Sequence, residues 1–232
     1  GMSRDDYASL NLGLLRKDFG DANTRISENF RRLRAATGLQ RFMRYEVNQV
    51  HGRSVWTAPV KPVRLANAPE ADAIVTDLSQ RMLTVRTADC VPILLYDGQR
   101  IGAIHAGWRG LVAGVIENTL IHFVPERTIA AIGPAISVAH FEVGEEVAVA
   151  FNNAGLACVI QSVTGDRPLI NLPEAARIQL EKASVLSGHI DRTDGCTYRD
   201  EADFLSYRRD VTHRKGCTGH MEAVIGLNGI NL

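Results

Sequence analysis

The chain lacks a net charge: 26 lysines and arginines balance 26 aspartates and glutamates. Without an excess of either sign there is no electrostatic footprint for nucleic acid or an anionic membrane surface. No apolar run approaches the roughly 20 residues that a helix needs to cross a bilayer. Cysteine is scarce, with four at positions 90, 158, 196 and 217 and no CxxC pair. That spacing offers neither a disulfide framework nor the clustered thiols of a structural zinc module. The start, Gly1-Met2-Ser3-Arg4-Asp5-Asp6, lacks the basic and apolar segments of a secretory signal, and Gly1 reads as a cloning remnant. Reduced thiols in a cytoplasmic protein are therefore expected. Internal repeats and low-complexity segments are also missing.

What is present is a chain of 232 residues, 45% apolar and 22% charged, as in ordinary globular proteins. Helical spacing of Ile26, Phe30 and Leu33 predicts a helix over Asp21–Ala36. Strands are expected over Arg41–Val50, Ala73–Thr76, Met82–Thr87, Val91–Tyr96, Ile101–His105, Thr128–Ile132 and Ala223–Leu227. Further helices are expected over Gly110–His122, Val143–Asn152 and Pro173–Leu186, the last with proline in its first turn and Gly188 at its end. Three prolines make residues 57–70 an irregular excursion. Strands adjoin both strands and helices, so the expected fold is α+β, mixed sheets flanked by helices in one domain over residues 1–232. Residues 1–10 are expected to be poorly ordered.

Chemistry concentrates in Thr87-Ala88-Asp89-Cys90-Val91-Pro92 and His105-Ala106-Gly107-Trp108-Arg109-Gly110. Two strands joined by Asp97-Gly98 can bring Cys90 and His105 to one sheet edge. A buried thiol and a satisfied core histidine would be the bland explanation. Asp89 argues against it, since an apolar core does not want a carboxylate there. Two uses fit the pair. His105 can deprotonate Cys90 for nucleophilic attack. Alternatively both ligate a metal with His51, which precedes Gly52 at a turn, leaving one tetrahedral position open. Arg109 lies at a helix entrance, where backbone amides already favour anions. Arg208 and Arg209 are second candidates for an anion, and if they lie on a strand only one can face the site.

Six segments in order resemble a known family: Asn48-Gln49-Val50-His51-Gly52, the Cys90 and His105 stretches above, Ile132-Gly133-Pro134-Ala135-Ile136, Phe141-Glu142-Val143-Gly144 and Phe204-Leu205-Ser206-Tyr207-Arg208-Arg209-Asp210. They resemble the YfiH-like proteins, also called the laccase-domain or multicopper polyphenol oxidase family, from about Asn11 to the C-terminus. The resemblance implies an α/β/β/α layering and a zinc site of His51, Cys90 and His105. It also implies phosphorolysis of adenosine, inosine, guanosine and methylthioadenosine, with deamination of adenosine. Purine nucleoside and phosphate would then be the partners. Cys90, His105 and Arg109 are the expected catalytic residues, and Asn48, Arg109, Tyr207, Arg208 and Arg209 are expected against substrate. A copper-dependent polyphenol oxidase, which the older family name suggests, fits less well, because seven histidines with no HxH motif are too few for a multicopper oxidase. One segment departs from the pattern: where the family has Thr-Gly-Arg, this chain has Thr212-His213-Arg214 and then a longer loop through Cys217 and His220.

Overall fold

The computed structural model describes residues 11–12, 23–61, 67–161, 167–214 and 216–228. The expectation for residues 1–10, and the first two residues of the predicted 21–36 helix, lie outside this set.

The strands are β1 (Met43–Tyr45), β2 (Val55–Thr57), β3 (Ala73–Thr76), β4 (Arg81–Thr87), β5 (Val91–Tyr96), β6 (Ile101–Ala106), β7 (Ile129–Ile132), β8 (Ile160–Gln161), β9 (Leu169–Ile170), β10 (Ile190–Arg192) and β11 (Met221–Leu227). The α-helices are α1 (Asn23–Thr37), α2 (Trp108–Ala113), α3 (Val115–Leu120), α4 (Glu145–Asn153) and α5 (Leu172–Lys182). A six-stranded sheet runs β10-β7-β5-β6-β3-β2, and a three-stranded sheet runs β1-β4-β11.

Strands β5 and β6 are apolar along their length because the sheet is covered on both faces. Val91, Ile93, Leu95, Ile104 and Ala106 enter one core with Leu111, Ile116 and Leu180 of the helices. Ile101 and Ala103 point the other way and join Ile74, Leu83 and Val85 between the two sheets. The far face of the small sheet carries α1: the Arg44 guanidinium lies 3.8 Å above the Phe30 ring. The order is therefore helix, sheet, sheet, helix: the α+β class expected from the sequence, in the layering that the family resemblance implies.

Three expectations change. The Gly110–His122 helix is two helices, α2 and α3, because Gly114 at φ 84 ends the first and begins the second. The Arg41–Val50 strand shrinks to β1, after which only Asn48 makes an isolated bridge, to Glu70. Arg208 and Arg209 lie on no strand; residues Arg208–His213 form a wide helical turn. Antiparallel pairing of β3 and β5 with β6 then places the starts of β3 and β5 beside the end of β6. The candidate site forms at that edge.

Candidate metal centre

Cys90 directly precedes β5, and His105 is the penultimate residue of β6. Their strands are in register, with Pro92 opposite His105. His51 arrives on the turn before β2. Its own φ of 60 is in the left-handed region, which costs a non-glycine residue about 1–2 kcal/mol. The donor atoms of His51, Cys90 and His105 all lie within 4.8 Å of one another, the only such three-residue group among the described residues. The two imidazoles meet edge to face, 4.8 Å between centroids. His105 is buried, Cys90 half-buried and His51 exposed, so the cluster opens to solvent on one side.

The glycines of the His105–Gly110 stretch permit this closeness. A Cβ on Gly107 would lie 2.9 Å from His51 Cδ2 and 3.1 Å from Cys90 Sγ. One on Gly110 would lie 3.0 Å from the Gly52 carbonyl oxygen, where α2 abuts the His51 turn.

An orienting carboxylate for His105 is not apparent in the sequence; the structure supplies Asp72. Its Oδ1 accepts from His105 Nδ1 at 2.8 Å and from the His51 amide at 2.9 Å. Its Oδ2 accepts from the Gly52 amide at 2.6 Å and the Val50 amide at 3.3 Å. The available signal was an acid inside Ala71-Asp72-Ala73-Ile74-Val75, a run otherwise wholly apolar. Burial works against the charge on Asp72, yet the bond from His105 and the turn amides hold its carboxyl below the usual value.

Cys90 shows the same contest. Burial pushes its thiol up, but the charge of His105 and hydrogen bonds from both histidines bring it down to about 6. Burial pushes His105 down, and the Cys90 charge with the Asp72 bond raises it to about 9.

On the other side, Asp89 sits at φ 93, a conformation that L side chains rarely adopt. Its Oδ1 accepts from Thr197 Oγ1 at 2.6 Å and its Oδ2 from the Arg208 amide at 2.7 Å. The residue before Cys90 thus fastens the tail to the site. Arg208 donates from Nη1 to the Glu142 carbonyl at 2.7 Å and lies 5.2 Å from the Phe141 ring centroid. Arg209 is buried, and its guanidinium is spent on the carbonyls of Thr197, Tyr198 and Phe204 and on the Asp210 carboxylate. Arg109 is exposed at the start of α2, its guanidinium 4.3 Å over the Trp108 ring, with no carboxylate partner among the described residues. Tyr207 and Asn48 are both exposed.

The segment that departs from the family pattern has a local role. His213 bonds the Tyr198 hydroxyl at 2.9 Å, and Tyr198 stacks on His140 with 4.5 Å between centroids. Cys217 and His220 do not join the metal-capable group.

Two histidine rings and one thiol thus lie close enough together to form a donor set that could hold one metal ion. The chain belongs to the family described as multi-copper polyphenol oxidoreductase laccase, whose model matches residues 1–228. It is 41% identical to a Deinococcus radiodurans protein named purine nucleoside phosphorylase, over 98% of this chain and 85% of that one. It is 38% identical to the Escherichia coli protein named purine nucleoside phosphorylase YfiH, over 98% and 90% of the two chains. The crystal structure of a Bacillus licheniformis hypothetical protein YfiH superposes with a TM-score of 0.88 at 26% identity, covering 98% and 89% of the chains.

Proposed function

We propose that the protein is a zinc-dependent purine nucleoside phosphorylase that also deaminates adenosine. The observation that carries this reading is the convergence of His51, Cys90 and His105 at one sheet edge, in a chain whose relatives are named for purine nucleoside phosphorylase activity. Held by these three side chains, zinc would supply a Lewis acid. One thiolate and two imidazoles are a donor set that suits it.

In phosphorolysis a phosphate oxygen bonds to the sugar C1′ while the bond from C1′ to the base nitrogen breaks. The base leaves with the electron pair and takes a proton. Charge develops on the sugar and on the leaving base, so the protein's part is to place an anion and hold its charge. Arg109 is the proposed phosphate clamp, with its unpaired guanidinium at a helix start. Arg208 is the second, held by Asp89. Arg209 is withdrawn from that role by its inward bonds. In deamination, water adds at the purine carbon bearing the amino group and ammonia departs. The four free cysteines accord with a reducing, cytoplasmic setting.

Asp72 gives a second reading some support, because Cys90, His105 and Asp72 are the parts of a thiol hydrolase. Against it stands His51, which such a hydrolase does not need against its nucleophile. Zinc-loaded wild type and Cys90→Ser should be assayed on adenosine and inosine, with and without phosphate. The wild type should release free base only with phosphate and form inosine from adenosine without it. Cys90→Ser should lose more than about 100-fold, beyond what an outer partner alone contributes. Absence of both products would overturn the phosphorylase reading, and turnover that survives thorough chelation would favour the hydrolase.

A further inference from the structure

We propose that Asp72 is the positioning residue of the metal centre, a single buried carboxylate that aims both histidine donors. The inference rests on reading His51, Cys90 and His105 as metal ligands.

Asp72 is completely buried, and a carboxylate there is costly unless every lone pair is used. Here the four acceptor directions are used by the His105 ring and the amides of Val50, His51 and Gly52. The backbone joins in, since the His105 amide donates to the Asp72 carbonyl at 2.7 Å. Two consequences follow for the ligands. First, His105 Nδ1 is committed as a hydrogen-bond donor to Asp72, so Nε2 is the nitrogen left for a metal, and its ring plane is fixed. Second, three converging amides hold the Val50–Gly52 turn, in which His51 keeps its left-handed φ of 60. An exposed histidine on an untethered turn would swing away from Cys90. A carboxylate that served only to close the turn would need no bond to the ring of a residue 33 positions further on.

The test is the zinc affinity of the whole chain, read by competition with a chromophoric chelator, for wild type, Asp72→Asn and Arg209→Ala. Asp72→Asn keeps an oxygen for the ring but faces the turn amides with a donor. It should bind zinc roughly 10–100-fold more weakly, as loss of an outer-shell partner does. Arg209→Ala, whose side chain bonds none of the three ligands, should lose stability but not affinity. Equal zinc affinity in wild type and Asp72→Asn would overturn the inference while leaving the metal centre standing. A wild type that takes up no zinc would sink the metal reading as well. Should Asp72→Asn fail to fold, nitrogen-15 histidine spectra of zinc-loaded wild type decide the matter. His105 must carry its proton on Nδ1 and bind zinc through Nε2; coordination through Nδ1 would end the proposal.

Discussion

Asp89 at φ 93 and His51 at φ 60 are both strained, and both flank or belong to the metal-capable cluster. Strain persists where the surroundings over-determine it, and here two aspartates do so: Asp72 behind His51 and Asp89 beside Cys90. The arginines separate by the same logic of partners. Arg109→Ala should raise KM for phosphate at least roughly tenfold, the order of a lost charge-assisted contact, while zinc content stays unchanged. Arg209→Ala should instead lower the melting temperature, since it strands buried carbonyls and the Asp210 carboxylate at a cost of about 3 kcal/mol. Steady-state kinetics at varied phosphate and thermal unfolding of the two variants check this split. Cys90, His105 and His51 were legible because glycines and an ill-placed acid surrounded them. Asp72 was not, because one acid in an apolar run says nothing about which ring it will meet.

Elements β5 and β6 show what a hairpin contributes to a site. Their turn is pinned by Asp97, whose carboxylate accepts from the amides of Gln99, Arg100 and Val124. Burial raises its pKa, but these amides and the nearby Arg100 charge win and hold it below its ordinary 3.8. A lowered folded-state pKa means that the stabilisation is present above the unfolded value and lost as pH falls through the folded one. Asp97→Asn should therefore destabilise by roughly 1–3 kcal/mol at neutral pH, and by progressively less below about pH 4. Denaturant unfolding of both proteins across pH 3–7 measures the difference. The edges of these strands were readable from apolar runs and turn residues. Gly114 was not readable as a helix break, because a glycine within a helical pattern is often tolerated. The Arg208–His213 turn was missed for another reason: its geometry is set by Asp89 and by carbonyls distant in sequence, which no local pattern contains.

At the scale of the whole molecule, two apolar cores lie on either side of the six-stranded sheet, and neither contains His51, Cys90 or His105. A metal held by His51, Cys90 and His105 would then bind a preformed edge rather than create the fold. Chelation should leave the protein folded, unlike a zinc finger. Zinc at 100 times its dissociation constant should add about 2.7 kcal/mol, which for a chain of this size is a rise of about 5–10 °C in melting temperature. Gly107→Ala should abolish most of that rise, since its Cβ would press on His51 and Cys90.

The central question is what His51, Cys90 and His105 hold together. X-ray absorption at the zinc edge of the zinc-loaded protein answers this most directly. One ion per chain should show one sulfur near 2.3 Å, two imidazole nitrogens near 2.0 Å and one further light atom. A shell without sulfur, or one with several sulfurs, would contradict the centre described.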